Sequence, residues 1–352
     1  MADTTNNHRT KKGSHNKRLK ETLALVEQQA RLAKSDLDLV AAIALLDGFP
    51  EPIKFNNDFL NKACIAASLL ILLLAALFFN PVHDLTAYGI TVTVGAFVVS
   101  AVNYFWKRHR KGSLTSLSNM IHAKSSLFDY GLTEQPYHPE HKTEDMQRRF
   151  GTFRHGNYQN TIKRLVAGTY KGSEHSFAFE YFHYHYVNQR IETYTTTDSE
   201  GRTRTHTRTV YDRFDRYGFI LPFPYTRGVR ISETMLNFFK SGWKSSSIDF
   251  NKKFSVQANN EMDAAKFLTP KILSEISKAG DALSSMDLNF TPARELCFSF
   301  DNNNTLSGHR HTGLETPTAF KKEIAEHNDL KALDTALEFL HRLMKYSDNN
   351  FG

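Results

Sequence analysis

Apolar positions fall into three regimes along the chain. From Lys17 to Leu46 they recur at helical spacing. Leu19, Leu23, Val26, Ala30, Ala33, Leu37, Val40 and Ala44 are separated by steps of 4, 3, 4, 3, 4, 3 and 4. That is a heptad seam, and Leu19, Leu23, Val26, Leu37 and Val40 are its candidate self-association positions. Ala30 and Ala33 weaken the centre, while Leu25, Leu39, Ile43 and Leu45 widen the stripe. Packing on the protein's own domain therefore competes with pairing between copies. Gly48 and Pro50 stop the helix.

The second regime is continuous. Ala63 to Val82 contains no Lys, Arg, Asp or Glu, and after a polar break a second uncharged run extends from Leu85 to Trp106. Those 22 residues reach roughly 33 Å as a helix, against a hydrocarbon core of about 30 Å. The first run spans if Leu60 or Val82 is included, or by local thinning of the bilayer. A buried hairpin in a soluble core is the alternative, but neither run has the polar face such helices carry. The first run starts about 60 residues in and has no cleavage pattern, unlike a signal peptide. Pro81 sits in the short turn, so the pattern predicts an antiparallel transmembrane hairpin. Ala63, Ala66, Ala67, Ala75 and Ala76 are expected to face Gly89, Gly95, Ala96 and Ser100, because small residues let helices approach in lipid. Lys54 and Lys62 precede the first span, Lys107, Arg108, Arg110 and Lys111 follow the second, and the turn has no Lys or Arg. The positive-inside rule then places both ends in the cytoplasm. Tyr104, Trp106, Lys107, Arg108 and Arg110 are the expected membrane-interface residues.

In the third regime strands dominate. A helix from Leu114 to Leu127 continues past the second span. Leu165–Tyr170 reads as a short strand. His175–Thr197 and Arg202–Phe223 read as a long hairpin around Asp198–Gly201. A strand is expected over Ser246–Val256, with Ile248, Phe250 and Phe254 alternating. One helix is expected over Asn260–Ser277, and a closing hairpin from Met286–Phe290 and Glu295–Phe300. Thr316-Pro317 begins helical structure that runs to about Tyr346, with a break at Asn328-Asp329. The predicted fold class is α+β: a transmembrane helical hairpin followed by a cytoplasmic antiparallel-sheet domain with flanking helices. The expected segments are a basic disordered tail (1–16), an amphipathic heptad helix and linker (17–61) and the transmembrane hairpin (62–111). A connecting helix and linker (112–148), the α+β domain (149–315) and C-terminal helices (316–352) follow.

The two spans, then RLVAGTYKGSEHSFAFEY, a long hairpin, FILPFP and SSIDFNKKFSVQANNEMDAAKFLTPKILSEI form a recognisable order. It resembles uncharacterised bacterial two-span membrane proteins grouped as a domain of unknown function. In these, a strand-turn-strand precedes an E/D-F-N-x-x-F-x-V segment and a helix. The resemblance covers Phe150 to Phe300, about half the chain. It implies a bacterial inner membrane and this architecture, and it carries no activity, cofactor or site.

Composition narrows the classes. In 352 residues, 40% are hydrophobic and 23% charged, as in globular proteins. The mean hydropathy of −0.45 excludes a many-helix transporter. Two cysteines exclude a disulfide framework and a four-cysteine zinc site. Cys64 and Cys297 read as buried thiols of a reduced compartment. The net charge of +7 permits an anionic partner without demanding one. Within the first 20 residues Arg9, Lys11, Lys12, Lys17, Arg18 and Lys20 face a single acid, Asp3. Such a tail can touch anionic lipid or simply be solvated.

Two constellations could carry chemistry. Arg202, Arg204, His206 and Arg208 alternate with threonines, so in a strand they share one face about 7 Å apart. This ladder suits phosphates or carboxylates. Its bland reading is a solvated edge that resists aggregation, part-neutralised by Glu192, Asp198 and Glu200. His183 and His185 form one i, i+2 pair and His309 and His311 another. Together they could supply four metal ligands, although half-buried histidines bonded to tyrosine are the plainer account. No G-x-S-x-G, phosphate-binding P-loop, G-x-G-x-x-G or H-E-x-x-H pattern occurs, so the reading leans away from an enzyme. No cofactor is expected unless the histidines hold a metal. The aromatic strand Phe177–Tyr186 lacks the Gly-aromatic motif of RNA-binding sheets, so nucleic acid is not an expected partner.

The sequence thus points to a membrane-anchored cytoplasmic binding or scaffold module. Its expected partners are the bilayer, a second copy, and an acidic protein or anionic lipid headgroup. A membrane-perturbing effector whose hairpin assembles on a cytoplasmic signal, and a metal-dependent enzyme using the His pairs, are the alternatives.

Overall fold

The computed structural model describes residues 15–78, 85–197, 199–233 and 242–348. The first 14 residues of the basic tail, the inter-helix turn with Pro81, and Asp198 lie outside the described residues. In chain order come helices α1 (His15–Leu32), α2 (Asp36–Ala44), α3 (Asp58–Phe78) and α4 (Leu85–Asp129), then β1 (Thr133–Glu134) and α5 (Pro139–Arg149). Strands β2 (Gln159–Lys171), β3 (Ser176–Thr197), β4 (Thr203–Pro222), β5 (Val229–Ser232) and β6 (Gly242–Trp243) follow. After them come α6 (Ile248–Lys253), β7 (Ser255–Ala258), α7 (Glu261–Phe267) and α8 (Pro270–Ala282). The chain closes with β8 (Asp287–Phe290), β9 (Glu295–Phe300), α9 (Pro317–Ala325) and α10 (Lys331–Asp348). It divides into a helical unit, Met1–Ser125 with His309–Asn328, and a sheet unit, Ser126–Gly308 with Asp329–Gly352.

In the helical unit the heptad seam is interrupted. The Ser35 side chain caps α2 by accepting from Asp38 N–H, and Asp38 Oδ2 accepts from Lys34 N–H at 2.8 Å. This reciprocal cap starts a new helix where the seam needs continuity. Leu19, Leu23, Val26 and Ala30 are buried on α1. On α2 the buried positions are Leu39, Ala42 and Ile43, while Leu37 is 81% exposed and Val40 half-buried. Leu19, Leu23 and Val26 are therefore buried within the chain, and the heptad positions do not run through Leu37 and Val40 as one continuous helix. The later half of α4 supplies Leu114, Leu117 and Ile121 to the same interior.

Helices α3 and α4 are long and apolar enough to cross a membrane, and their apolar side chains are mostly exposed. Their contact differs from the small-on-small expectation. Gly95 lies against the Ile71 side chain, whereas nothing lies within 4 Å of a Cβ built on Gly89. The covered positions of α3 are Cys64, Ala67, Ser68, Ile71 and Ala75, while Ala63, Ala66 and Ala76 are exposed, as are Ala96 and Ser100 on α4. At 3.6 residues per turn only one narrow stripe faces a neighbour, and it runs through Ile71.

The sheet unit holds one nine-stranded sheet in the order β1-β2-β3-β4-β9-β8-β5-β7-β6, with antiparallel pairing throughout. Period-two alternation sends each strand's side chains to two cores. Phe177, Phe179 and Tyr181 of β3, with Phe219 and Leu221 of β4 and Phe298 and Phe300 of β9, enter the core shared with α7, α8 and α10. Phe182, Tyr184, Ile220 and Cys297 enter a smaller core with Met146 of α5, Phe150 and Phe153. Sheet positions buried on both faces explain the near-continuous apolar character of β3 and β9. Burial raises the Cys297 thiol pKa, leaving it an inert packing group.

Two elements differ from expectation. Ser246–Val256 is not a strand: the Ser247 hydroxyl accepts from Phe250 N–H and caps α6, and only Ser255 onward is extended. Ile248 consequently points to solvent, while Phe250 and Phe254 stack on one another. The single helix over Asn260–Ser277 is two. Asn260 caps α7, and Thr269 with Pro270 starts α8, because proline fits a first helical turn but not an interior.

Gly218 passes under β9 so closely that a Cβ would overlap the Phe298 carbonyl oxygen and meet the Phe182 ring at 2.9 Å. Gly218→Ala is expected to lower the stability of the sheet unit by about 2–3 kcal/mol, as overpacking a close backbone contact does. The shift in urea midpoint of the detergent-solubilised chain measures it, and an unchanged midpoint would contradict this packing.

Candidate functional site

Strands β3 and β4 pair without interruption from Glu180↔Ile220 to Thr197↔Thr203. Strand β2 accompanies β3 only to Val187, and β9 accompanies β4 only to Tyr217. Beyond those points the hairpin is a two-stranded ribbon, held at its base by Asn157 on Asn188 and Gln189 and by the Tyr158 ring on Tyr211. At about 3.4 Å per residue its ten outer pairs, Asn188↔Asp212 to Thr197↔Thr203, extend roughly 30 Å.

The arginine ladder lies on this ribbon. Register puts Arg204, His206 and Arg208 on one face opposite Thr196, Tyr194 and Glu192, and Arg202 sits in the adjoining turn. All four are exposed. The local acids take up part of the charge. Glu192 holds Arg208 at 2.7 Å and also pairs with Arg190, Glu200 holds Arg202 at 2.7 Å, and Asp212 holds Arg190 at 2.6 Å. His206 stacks on Tyr194 and bonds Thr196 Oγ1 at 2.9 Å. Arg204 has no carboxylate partner among the described residues. The opposite face carries threonines, with Ile191 and Tyr211 exposed.

At the ribbon's base the structure groups His183, His185, Asp215 and Lys163. His183 Nε2 and His185 Nδ1 donate to the same Asp215 oxygen, Oδ1, at 2.7 and 2.9 Å. Lys163, the extra residue of a bulge in β2, brings Nζ to 3.7 Å from that oxygen. The bulge aims it across β3. His183 also stacks on Tyr217. Burial pushes the Asp215 carboxyl pKa up, but the two imidazole bonds and the charges of His185 and Lys163 outweigh it and leave it lowered. The histidines address one carboxylate oxygen rather than an open point between them. The other pair, His309 and His311, stands edge-to-face at 4.6 Å in the helical unit, where His311 N–H donates to Glu323. No group of three or more His, Cys, Asp or Glu among the described residues is arranged to hold a metal. The His183 and His185 rings are bound to Asp215, whereas the His309 and His311 rings contact each other and only the His311 backbone N–H is bound to Glu323.

The expected interface residues are tied locally. Arg108 bonds Tyr104 Oη at 2.9 Å. Arg110 lies over the Trp106 and Phe55 rings and bonds Asn57 at 2.8 Å. Lys107 is exposed.

Sequence reasoning missed an open groove of the sheet unit, about 1150 Å³ in volume. Leu132, Phe179, Leu333 and Leu337 are among its lining residues. Its Lys142 is paired with Glu180 at 3.0 Å, and its Arg149 is bidentate on Glu295. The Tyr130 hydroxyl donates to Asp334 at 2.8 Å, and burial pushes its pKa up to about 12. These groups come from segments far apart in sequence, so no local motif could announce them. Their mutual pairing leaves few groups to engage a ligand.

No protein-family model matches this chain, and no curated protein or solved structure matches it either. The site is therefore read from its own geometry.

A carboxyl with a lowered folded pKa contributes stability above its unfolded pKa and loses it as pH falls through the folded value. Asp215→Asn is therefore expected to cost about 1 kcal/mol at neutral pH, after discounting for solvent screening. The difference from wild type should vanish toward acid pH. Chemical denaturation across the acid range measures it, and a pH-independent difference would show that Asp215 acts by packing.

Proposed function

We propose that the chain is a membrane-anchored recognition module whose β3–β4 ribbon engages an acidic surface of a protein partner. The observation that carries this reading is the ribbon itself, which runs ten residue pairs past its neighbouring strands, its outer part with both faces in solvent. An unsupported two-stranded ribbon is marginal in water, so its length serves the fold poorly and suits reach. Arg208 presents its guanidinium over the exposed Tyr194 ring and Arg204 lies exposed on the same face, and Arg and Tyr are the side chains on which interfaces concentrate binding energy. Helices α3 and α4 are the proposed anchor. The Lys and Arg residues flanking them, with none in the turn, favour both ends on the cytoplasmic side. A bacterial inner membrane is part of the proposal through the sequence resemblance alone.

Affinity capture of the tagged full-length protein from mild-detergent membranes tests this. Arg202→Glu with Arg204→Glu and Arg208→Glu is expected to reduce recovery of the specific partner about tenfold or more, the equivalent of about 1.4 kcal/mol. Equal recovery with wild type and variant would overturn the ribbon as the docking element.

A further inference from the structure

A second cavity of the sheet unit, about 520 Å³, has a different character. The β4–β5 connection contributes Thr226 and Arg227, α7 contributes Asp263 and Lys266, the β8–β9 turn contributes Arg294, and the end of α10 contributes Asp348. Three observations converge on it.

The first is backbone strain. Arg294 has a φ of 61°, the left-handed region that disfavours side chains by about 1–2 kcal/mol. The turn requires that conformation: Arg294 N–H donates to Thr291 O at 3.1 Å, and its carbonyl accepts from Phe223 N–H at 2.8 Å. Glycine would meet the requirement at no steric cost. No side-chain contact of Arg294 with the turn, among the described residues, accounts for an arginine at this angle, which makes its side chain a candidate for a role outside the turn. The second is unspent charge. Arg227, Lys266 and Arg294 are exposed at the mouth of the cavity and form no ion pair among the described residues, unlike Lys142 and Arg149 of the larger groove. The third is an orphan hydroxyl. Thr226 is 6% exposed, and its Oγ1 has no hydrogen-bond partner among the described residues, an arrangement that burial makes costly.

Donors without acceptors ask for an oxyanion. Three cations exceed the needs of one carboxylate and suit a phosphate. Asp263 and Asp348 on the same wall can accept from hydroxyl groups, and the volume suits a small ligand. We infer that this cavity binds the phosphate monoester of a hydroxylated small molecule or lipid headgroup, with Arg227, Lys266 and Arg294 on the phosphate and Asp263 and Asp348 on the hydroxyls. This inference is independent of the ribbon.

The test uses the full chain in nanodiscs, titrated with inorganic phosphate and glycerol 3-phosphate and followed by calorimetry and thermal unfolding. Saturable binding of glycerol 3-phosphate, tighter than that of inorganic phosphate, is expected in phosphatidylcholine discs. If the source is lipid, discs containing phosphatidic acid should raise Tm and abolish that titration. If the source is soluble, they should leave it intact. Arg294→Gly is expected to weaken glycerol 3-phosphate binding at least tenfold while leaving the ligand-free Tm equal or higher, because the strain is relieved. Lys266→Gln should weaken binding as well without touching the turn. A fall in ligand-free Tm for Arg294→Gly would show a structural arginine. Absence of binding to every probe, or unchanged affinity in both variants, would overturn the proposal.

Discussion

The architecture of the sheet unit depends on the uninterrupted pairing of β3 with β4. Where β2 and β9 flank that pair, both faces are covered, and Phe179, Tyr181, Phe182, Tyr184 and Phe219 are buried on alternate sides. Where the flanking strands stop, Asn157 and Tyr158 still touch the pair, at Asn188, Gln189 and Tyr211, and the same backbone ladder then continues into solvent. One hairpin thus supplies the centre of two cores and a solvent-exposed arm. A one-residue slip in its register would exchange the core-facing and solvent-facing sets, so the aromatic inner half fixes the alignment of the polar outer half.

Buried polar groups add specificity around this pair. Asp287 receives two bonds from Arg230 and one from Thr152 Oγ1. Arg216 reaches Asp301, Ser299 Oγ and the Ser285 carbonyl. Each joins residues distant in sequence. Such pairs add little net stability after desolvation, but breaking one strands a buried charge. In the helical unit Ser118 and Ser125 do similar work: Ser118 Oγ accepts from Leu314 N–H, and Ser125 Oγ donates to Asp36. These contacts hold the α9 segment and the N-terminal helices to α4 across 196 and 89 residues of sequence.

The candidate sites were legible in uneven degree. The ladder was readable because strand alternation is local: once Thr203 to Thr209 is a strand, its faces follow, and only Arg202 falls outside it, in the turn. The histidine pair was readable as a shared face, but its carboxylate partner Asp215 was not, since it sits opposite in register on β4. Lys163 was invisible, because a bulge rather than a sequence pattern aims it. Arg294 carried no signal at all. Its interest comes from a backbone angle and from neighbours on three other elements.

The sequence by itself determined the two long apolar helices, the long hairpin, the closing β8–β9 pair and the helix break near Asn328, because each rests on short-range periodicity, turn residues or charge. Tertiary structure decided what those patterns were used for. The heptad positions Leu19, Leu23 and Val26 became interior contacts, and the alternation around Phe250 and Phe254 became a capped helix followed by a short strand. Helix α9 joined one unit and α10 the other. Periodicity names the face that must be buried, but the partner is set by chain segments far away, and only packing selects among them.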